Sequence, residues 1–379
     1  MLAILCPGQG AQSAGFLTPW LTSYDVRPRL DELSDAAGFD LFAAGTDPSY
    51  DVVDTAVAQP LLVAAGIITA ELLGELSPET VLVGHSVGEL TAAAVAGAMT
   101  SADAVDIAAK RGAAMKRACA DADGGMTALL GGDLDEVRDA IESAGCVAAN
   151  VNGAGQVVAA GPRAALERLA ASPPSGARLR NLGVAGPFHT TWMAPAADDL
   201  MTAMDAVDTS AKHHGIVSNL DGAMLTSGSL VKQRIVNQLT APVRFDLCLQ
   251  TLRALTVTAV IELAPAGVLA GIARRELTGV DVVALRTPDD VEAARAVVHA
   301  QHPVGEHLDS DWRIVVAPTR GTFHPAAHVD GTDSGRLGVV SNRSGDVEVT
   351  TETASVVVEW LATDGDPVAV GQPLARVHA

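Results

Sequence analysis

The feature that most constrains this chain is a short apolar run, Val81–Val83, that ends in the motif Gly-His-Ser-Val-Gly at 84–88. An alanine-rich helical pattern follows to about Ala98. A strand, a tight turn and a helix in that order are the setting in which Gly-x-Ser-x-Gly forms a nucleophile elbow, with the serine at the tip beside a helix N-terminus. The pattern predicts that Ser86 is a nucleophile, although a glycine-rich turn with an idle serine would have the same sequence.

Composition limits the partners that the chain can have. Its 379 residues include 48% hydrophobic and 18% charged residues, which suits a large core and does not suit disorder. The formal net charge of −20 argues against nucleic acid and against an anionic membrane surface. An acidic protein partner stays possible, because docking requires only a local basic patch.

The cysteines and the N-terminus bear on the compartment. Cys6, Cys119, Cys146 and Cys248 are scattered without a C-x-x-C pair, so neither a disulfide framework nor a metal site is predicted. The first residues form neither a signal peptide nor a spanning helix. We therefore expect a cytoplasmic protein.

Periodicity predicts an α/β fold in several parts. Residues 1–125 and 184–300 alternate strands with helices, which predicts a mostly parallel sheet that is covered on both faces. Residues 126–183 follow the order βαββαβ and predict an inserted ferredoxin-like subdomain. A linker at 301–311 precedes an all-β domain at 312–379. The turn after the first strand, Gly8-Gln9-Gly10, has Ser13 in place of the third glycine of a dinucleotide fingerprint, so no nucleotide cofactor is predicted.

Four motifs in order give the chain a family resemblance. Gly-Gln-Gly-Ala-Gln at 8–12, Gly-His-Ser-Val-Gly-Glu at 84–89, Arg111-Gly112 and Pro187-Phe188-His189 flank the βαββαβ insertion. Over residues 1–290 the chain resembles the malonyl-CoA:acyl carrier protein transacylases of fatty acid synthesis. The resemblance implies transfer of malonyl from malonyl-CoA to the phosphopantetheine thiol of acyl carrier protein through a Ser86 acyl-enzyme. It implies no cofactor and no metal.

The resemblance assigns the catalytic groups. His189 would be the general base that activates Ser86, because a free hydroxyl is a weak nucleophile. The motif at 237–243 implies that the main-chain carbonyl of Gln238 holds the other nitrogen of His189. The elbow predicts the N–H of Val87 as one oxyanion donor, and the family supplies the N–H of Gln12 as the second.

The resemblance also assigns the substrate pocket. Arg111 would bind the free carboxylate of malonyl with paired, charge-assisted hydrogen bonds, although composition alone would favour a solvated helix arginine. Phe188 is similar to the malonyl-preferring version of the family. Gln59, Asn150 and Asn152 match other residues near the family's pocket.

The C-terminal domain resembles the two halves of a biotinyl or lipoyl carrier, on the phrases at 316–323 and 356–374. A working carrier needs a lysine at a hairpin tip, and the last lysine of the chain is Lys232. We expect neither biotin nor lipoate. The domain is either a degenerate module for docking or dimer contacts, or a β appendage of the main domain.

Three other functions fit parts of the same pattern. A serine hydrolase or thioesterase would use the same elbow, and an acyltransferase for a different acyl-CoA would use the same dyad. A non-catalytic scaffold would use both halves as binding modules. Arg111 and the turn at 8–12 argue against the hydrolase, and the presence of Ser86, His189 and Arg111 together argues against the scaffold.

Overall fold

The computed structural model describes residues 1–120, 123–209, 213–225, 227–301, 312–326, 336–351 and 356–378. The chain divides into two compact units, Met1–His302 and Pro303–Ala379. Most of the predicted linker, 302–311, lies outside the described residues. Within the described ranges, no helix combines the length and the apolarity needed to cross a bilayer.

The first unit alternates strands and helices. Its strands are β1 (Leu2–Cys6), β2 (Val81–Gly84), β3 (Gly124–Gly131), β4 (Val147–Gly153), β5 (Gln156–Pro162), β6 (Ala177–Asn181), β7 (Gly215–Val217), β8 (Met224–Leu225), β9 (Val243–Arg244), β10 (Ala259–Glu262) and β11 (Asp281–Ala284). Its helices are α1 (Thr18–Ser23), α2 (Arg27–Ala37), α3 (Leu41–Thr46), α4 (Thr55–Glu71), α5 (Gly88–Val95), α6 (Ser101–Cys119), α7 (Leu134–Ser143), α8 (Arg163–Ala171), α9 (Ala194–Met204), α10 (Gly228–Asn237), α11 (Phe245–Ala254), α12 (Val268–Glu276) and α13 (Val291–Gln301).

The main sheet has six strands in the order β11-β10-β1-β2-β7-β8. All of its pairs are parallel except β7 with the short edge strand β8. Leu2 and Ile4 of β1 belong to one apolar cluster, whereas Ala3 and Leu5 belong to another. Both faces of the sheet are therefore covered, as the alternating pattern predicts. The carboxyl ends of β1 and β2 lie side by side and carry the turn at 8–12 and the elbow.

The inserted segment forms a second sheet in the order β6-β3-β5-β4, with α7 and α8 as its helices. This is the ferredoxin-like arrangement that the βαββαβ order predicts. A fifth strand, β9, comes from outside the insertion and pairs in parallel with β4 through Asn150 and Val243. Periodicity could not indicate β9, because a two-residue strand has no pattern of its own.

The second unit is all β within its described residues. Its strands are β12 (Trp312–Val316), β13 (Gly321–Pro325), β14 (Arg336–Asn342), β15 (Gly345–Thr350), β16 (Val356–Trp360), β17 (Pro367–Val368) and β18 (Pro373–His378). They form the sheets β12-β18-β16 and β15-β14-β13-β17 around a core that includes Phe323, Leu337 and Leu374. The β14–β15 hairpin turns at Arg343 and Ser344, which are exposed.

Candidate active site

The elbow places Ser86 between β2 and α5 with a left-handed backbone, φ 54°. Its two glycines are required by space: a Cβ on Gly84 would lie 2.1 Å from the nitrogen of Glu89, and one on Gly88 would lie 2.1 Å from the carbonyl oxygen of Cys6. Such contacts are far inside van der Waals distance. A non-glycine residue at positive φ is uncommon and is characteristic of functional turns. The local structure therefore holds the serine at a strained tip, as the motif predicts.

The structure brings Ser86 and His189 together across 103 residues of sequence. The Oγ atom of Ser86 lies 2.8 Å from Nε2 of His189, and Nδ1 of His189 lies 2.8 Å from the carbonyl oxygen of Gln238. With Nδ1 as the donor to that carbonyl, Nε2 is left as the acceptor for the serine proton. Burial, followed by the charge of Arg111, lowers the pKa of His189 to about 3, so the ring is neutral at physiological pH.

Arg111 is fully buried next to the nucleophile. Its Nη1 donates to Oε1 of Gln59 at 2.7 Å, and its Nη2 donates both to Oγ of Ser86 and to Oε1 of Gln238, each at 3.2 Å. Its buried Nε has no partner among the described residues. Burial lowers the pKa of Arg111 to about 10, against the opposing effect of the Glu89 carboxylate, so the guanidinium stays charged at neutral pH. A desolvated cation with a spare donor favours an anionic ligand.

Gln238 connects the groups of this site. Besides accepting from His189 and Arg111, it donates through Nε2 to the carbonyl oxygen of Ser86 at 2.9 Å and to Oε2 of Glu89 at 2.8 Å. The residue lies at the end of α10 and is 1% exposed. Its carbonyl and its side chain therefore contact the nucleophile, the base and the cation at once.

A cavity of about 350 Å³ opens over Ser86 and His189 between the main sheet and the inserted subdomain. Its lining includes the remaining residues that the resemblance assigns to the pocket, namely Gln59, Asn150, Asn152 and Phe188. Asn152 is joined to the elbow, because its Oδ1 lies 2.9 Å from Nε2 of His85. Arg111 does not line the cavity itself, but it donates a hydrogen bond to Ser86, which does.

The two N–H groups assigned to the oxyanion hole differ in what the structure shows. Val87 lines the cavity, and its N–H donates to no other described residue. Gln12 does not line the cavity, whereas the adjacent Ala11 does. The side chain of Gln12 braces its own turn by accepting from Gly10 N–H at 2.8 Å and donating to Val52 carbonyl at 3.0 Å.

Sequence reasoning missed three residues of the site. Glu89, Asn219 and His85 contact the elbow or its partners, yet none was given a role. Glu89 lies in the quoted motif, so a charged residue in an otherwise apolar helix start was the available signal. Asn219 follows β7, and the carboxyl ends of parallel strands are where ligand-binding residues gather.

The fold and the site define a serine-dependent acyl transferase, and residues 4–302 match the acyl transferase domain family. The malonyl CoA-acyl carrier protein transacylase of Mycobacterium tuberculosis H37Rv is 47% identical over 297 residues, which cover 77% of this chain and 98% of that protein. The chain belongs to the malonyl CoA-acyl carrier protein transacylase family.

Solved structures agree with that assignment. The crystal structure of MCAT from Mycobacterium tuberculosis has a TM-score of 0.74 at 46% identity and covers 78% of this chain and 99% of its own. A structure of a type II PKS acyl-carrier protein in complex with its malonyl-transacylase has a TM-score of 0.73 at 27% identity. The match covers 78% of this chain and 99% of the chain in that structure. The family match at residues 4–302 spans almost the whole of the first unit.

Proposed function

We propose that the chain transfers malonyl from malonyl-CoA to the phosphopantetheine thiol of an acyl carrier protein, as a step of fatty acid synthesis. The observation that carries the proposal is the buried guanidinium of Arg111 at 3.2 Å from Oγ of Ser86. A malonyl ester on that oxygen would place its free carboxylate carbon one C–O bond and two C–C bonds from Oγ, which is the present partner of the cation. The carboxylate would replace the serine hydroxyl as an acceptor for Nη2.

In the first half-reaction, Oγ of Ser86 attacks the thioester carbonyl of malonyl-CoA while Nε2 of His189 takes the serine proton. The tetrahedral oxyanion would be stabilised by the N–H of Val87 and by an N–H of the turn at 8–12, where Gln12 stays our assignment. The C–S bond then breaks, and His189 returns the proton to the sulfur of CoA. Malonyl remains on Ser86 as an ester.

In the second half-reaction, His189 removes the proton from the carrier's thiol, and the sulfur attacks the ester carbonyl. The C–O bond to Ser86 breaks, and His189 returns the proton to Oγ. The proton that leaves with CoA in the first half is replaced by the proton of the carrier's thiol in the second, and no atom changes oxidation state, so the exchange needs no redox group and we propose that it uses no cofactor. The carbonyl of Gln238 holds the His189 ring in one orientation throughout, without the full countercharge of a carboxylate.

Arg111 gives the malonyl carboxylate a second role. Its positive charge is one cause of the low pKa of His189. A carboxylate paired with the guanidinium cancels that charge, so it makes His189 more basic just when a base is needed. Acetyl would bring no such charge and would leave the buried cation without a new partner. Selection for malonyl over acetyl should therefore appear in kcat as well as in KM.

The competing reactions are hydrolysis and transfer of a different acyl group. The purified chain would be given malonyl-, acetyl- or methylmalonyl-CoA with holo-acyl carrier protein, and both acylated carrier and free acid would be quantified. We expect malonyl-carrier as the main product, with little malonate. Free malonate as the main product would support a hydrolase, whereas faster transfer of acetyl or methylmalonyl would reassign the substrate.

We also propose that the protein acts in the cytoplasm. All four cysteines are free and buried, as is usual in a reducing environment. We keep the cytoplasm as the expected site of action. Fractionation of the source cells with an antibody to the chain tests this directly.

A further inference from the structure

Glu89 is a buried carboxylate that the transfer mechanism above does not use. It lies in the first turn of α5, three residues after the nucleophile, and is 2% exposed. A carboxylate removed from water is costly unless it is hydrogen-bonded to good donors. Its contacts are therefore informative about why the residue is there.

Each oxygen of Glu89 accepts from a residue that in turn holds Ser86. Oε1 accepts from the N–H of Asn219 at 2.7 Å, and Oδ1 of Asn219 accepts from the N–H of Ser86 at 2.8 Å. Oε2 accepts from Nε2 of Gln238, which also donates to the carbonyl of Ser86 at 2.9 Å. The N–H and the carbonyl of the strained serine are thus held by the side chains of Asn219 and Gln238, and both residues donate to the carboxylate of Glu89.

The same carboxylate influences the base and the cation through Gln238. That residue accepts from Nδ1 of His189 with its carbonyl and from Nη2 of Arg111 with Oε1. A shift of Gln238 would therefore move Ser86, His189 and Arg111 together. Small displacements of reacting groups are enough to cost a large factor in rate.

We propose that Glu89 is a positioning residue that acts as an anion, and that malonyl transfer requires its carboxylate to be ionised. The proposal rests on the function proposed above. Each oxygen of Glu89 accepts from one N–H donor, and an added proton would remove the negative charge and turn one of these oxygens into a hydroxyl, which is a weaker acceptor. Protonation would then weaken the link to Asn219 or the link to Gln238, because the hydrogen bond loses its charge assistance.

The carboxyl group of Glu89 titrates in a pH range in which the enzyme can be assayed. Burial raises the pKa of Glu89 to about 7, although the hydrogen bonds from Asn219 and Gln238 and the charge of Arg111 lower it. Among the described residues, the charged or titratable groups that interact with it are Arg111 from α6 and Cys248 from α11. The carboxylate is ionised above about pH 7 and takes up a proton as the pH falls through that value. Before malonyl pairs with Arg111, His189 has a pKa of about 3 and is neutral throughout this window.

The test is the rate of acylation by malonyl-CoA between pH 5 and 9, measured by rapid quench and intact mass on the full chain. The wild type should lose rate about tenfold per pH unit well below pH 7. The side chain in Glu89→Gln cannot titrate, and its single oxygen can replace only one of the two carboxylate oxygens that accept from Asn219 and Gln238. It should be slower by about ten- to a hundredfold at pH 8 and should show no acid limb between pH 5 and 8. Glu89→Asp keeps a titrating group and should be slower but retain the limb.

Glu262→Gln is the matched control. Glu262 is a buried carboxylate with a pKa raised by burial, but it accepts from backbone N–H groups of Gly267, Leu269 and Ala270 at the start of α12. Its variant should keep the wild-type acid limb, because the hydrogen bonds of Glu262 go to the start of α12 and not to Asn219 or Gln238. Circular dichroism would establish that each variant is folded.

Three results would overturn the proposal: a wild type that acylates without an acid limb near pH 7, a Glu89→Gln variant that keeps the limb, or full activity in Glu89→Asp. Full activity in Glu89→Asp would overturn the proposal even if Glu89→Gln does not fold. A wild type that forms no acyl-enzyme at any pH would instead refute the proposed function.

Discussion

Nη2 of Arg111 donates a hydrogen bond to Oγ of Ser86 at 3.2 Å. The cation and the nucleophile therefore belong to one polar cluster. An ordinary serine hydrolase has no need of a buried positive charge at this position, whereas an enzyme for a dicarboxylic acyl group does. The relationship makes acyl selectivity the most informative property to change by mutation.

Arg111→Ala should abolish the preference for malonyl. Two charge-assisted hydrogen bonds to the carboxylate are lost, so the ratio of kcat/KM for malonyl-CoA to that for acetyl-CoA should fall by about 100-fold. Steady-state transfer to holo-carrier measures both values. Lys110→Ala is the control, because Lys110 is the exposed neighbour that pairs with Asp106 and should not affect the ratio. An unchanged ratio in Arg111→Ala would rule out the carboxylate-binding role.

Ser86→Ala should stop transfer and leave no acyl-enzyme. Removing a nucleophilic serine typically costs at least about 10³-fold in rate, because the residual catalysis comes from binding alone. Labelled malonyl-CoA followed by protein mass measurement shows whether an adduct remains. Ser172→Ala, which removes an exposed serine at the end of α8, should behave like the wild type. Efficient transfer by Ser86→Ala would refute the covalent mechanism.

His189 should make the folded chain less stable in acid. Its pKa is about 3 when folded and 6.5 in the unfolded reference, so between these values the unfolded chain binds a proton that the folded chain does not. Stability then falls as the pH drops, by about 2 kcal/mol from pH 6.5 to 5 for this group. His189→Gln lacks this loss. Urea titrations at the two pH values should show that the free energy of unfolding falls more in the wild type than in His189→Gln. An equal fall in both proteins would contradict the buried neutral ring.

The cysteine thiols should be inert in the native protein. Burial raises the pKa of Cys119 to about 11 and also raises the pKa values of Cys6, Cys146 and Cys248. Thiolate is the reactive form, so little should react near pH 8. A chromogenic thiol reagent should label all four cysteines only after denaturation. Rapid labelling of the native chain would show that a thiol is more exposed than the structure indicates.

Removing the second unit should leave the chemistry intact. Every residue assigned to the site lies in Met1–His302, and the acyl transferase family model matches residues 4–302. A chain that ends at residue 302 should form malonyl-enzyme at the full-length rate. Its KM for carrier and its oligomeric state separate the two hypotheses for the β domain: a change in either supports docking or dimer contacts, and no change supports an appendage. Loss of acylation would show that the first unit is not sufficient.

Local sequence patterns predicted the parts of the fold that local physics decides. The β2–Ser86–α5 elbow follows from an apolar run and from glycines that no larger residue can replace. The covered parallel sheet and the βαββαβ order follow from hydrophobic periodicity. The helix bounds shifted by a few residues; for example, the helix expected to reach Ala98 ends at Val95. Such ends depend on caps and tertiary contacts that periodicity does not contain.

The arrangement of the site could not come from those patterns. His189 meets Ser86 from 103 residues away, and only the family resemblance pointed to it. Glu89 and Asn219 act together because Asn219 and Gln238, which come from different parts of the chain, both donate to the carboxylate of Glu89. Contacts of this kind are fixed by how the elements pack, so a single sequence gives the residue types but not their partners.

The most direct test of the account is the intact mass of the wild-type chain after brief mixing with malonyl-CoA and again after addition of holo-acyl carrier protein. We predict one malonyl adduct, located on Ser86 by peptide mapping, which disappears as malonyl-carrier forms in equal amount. An adduct that is lost to water without labelling the carrier would contradict transfer and indicate a hydrolase. A chain that never forms the adduct would contradict the proposed function of the Ser86–His189–Arg111 site.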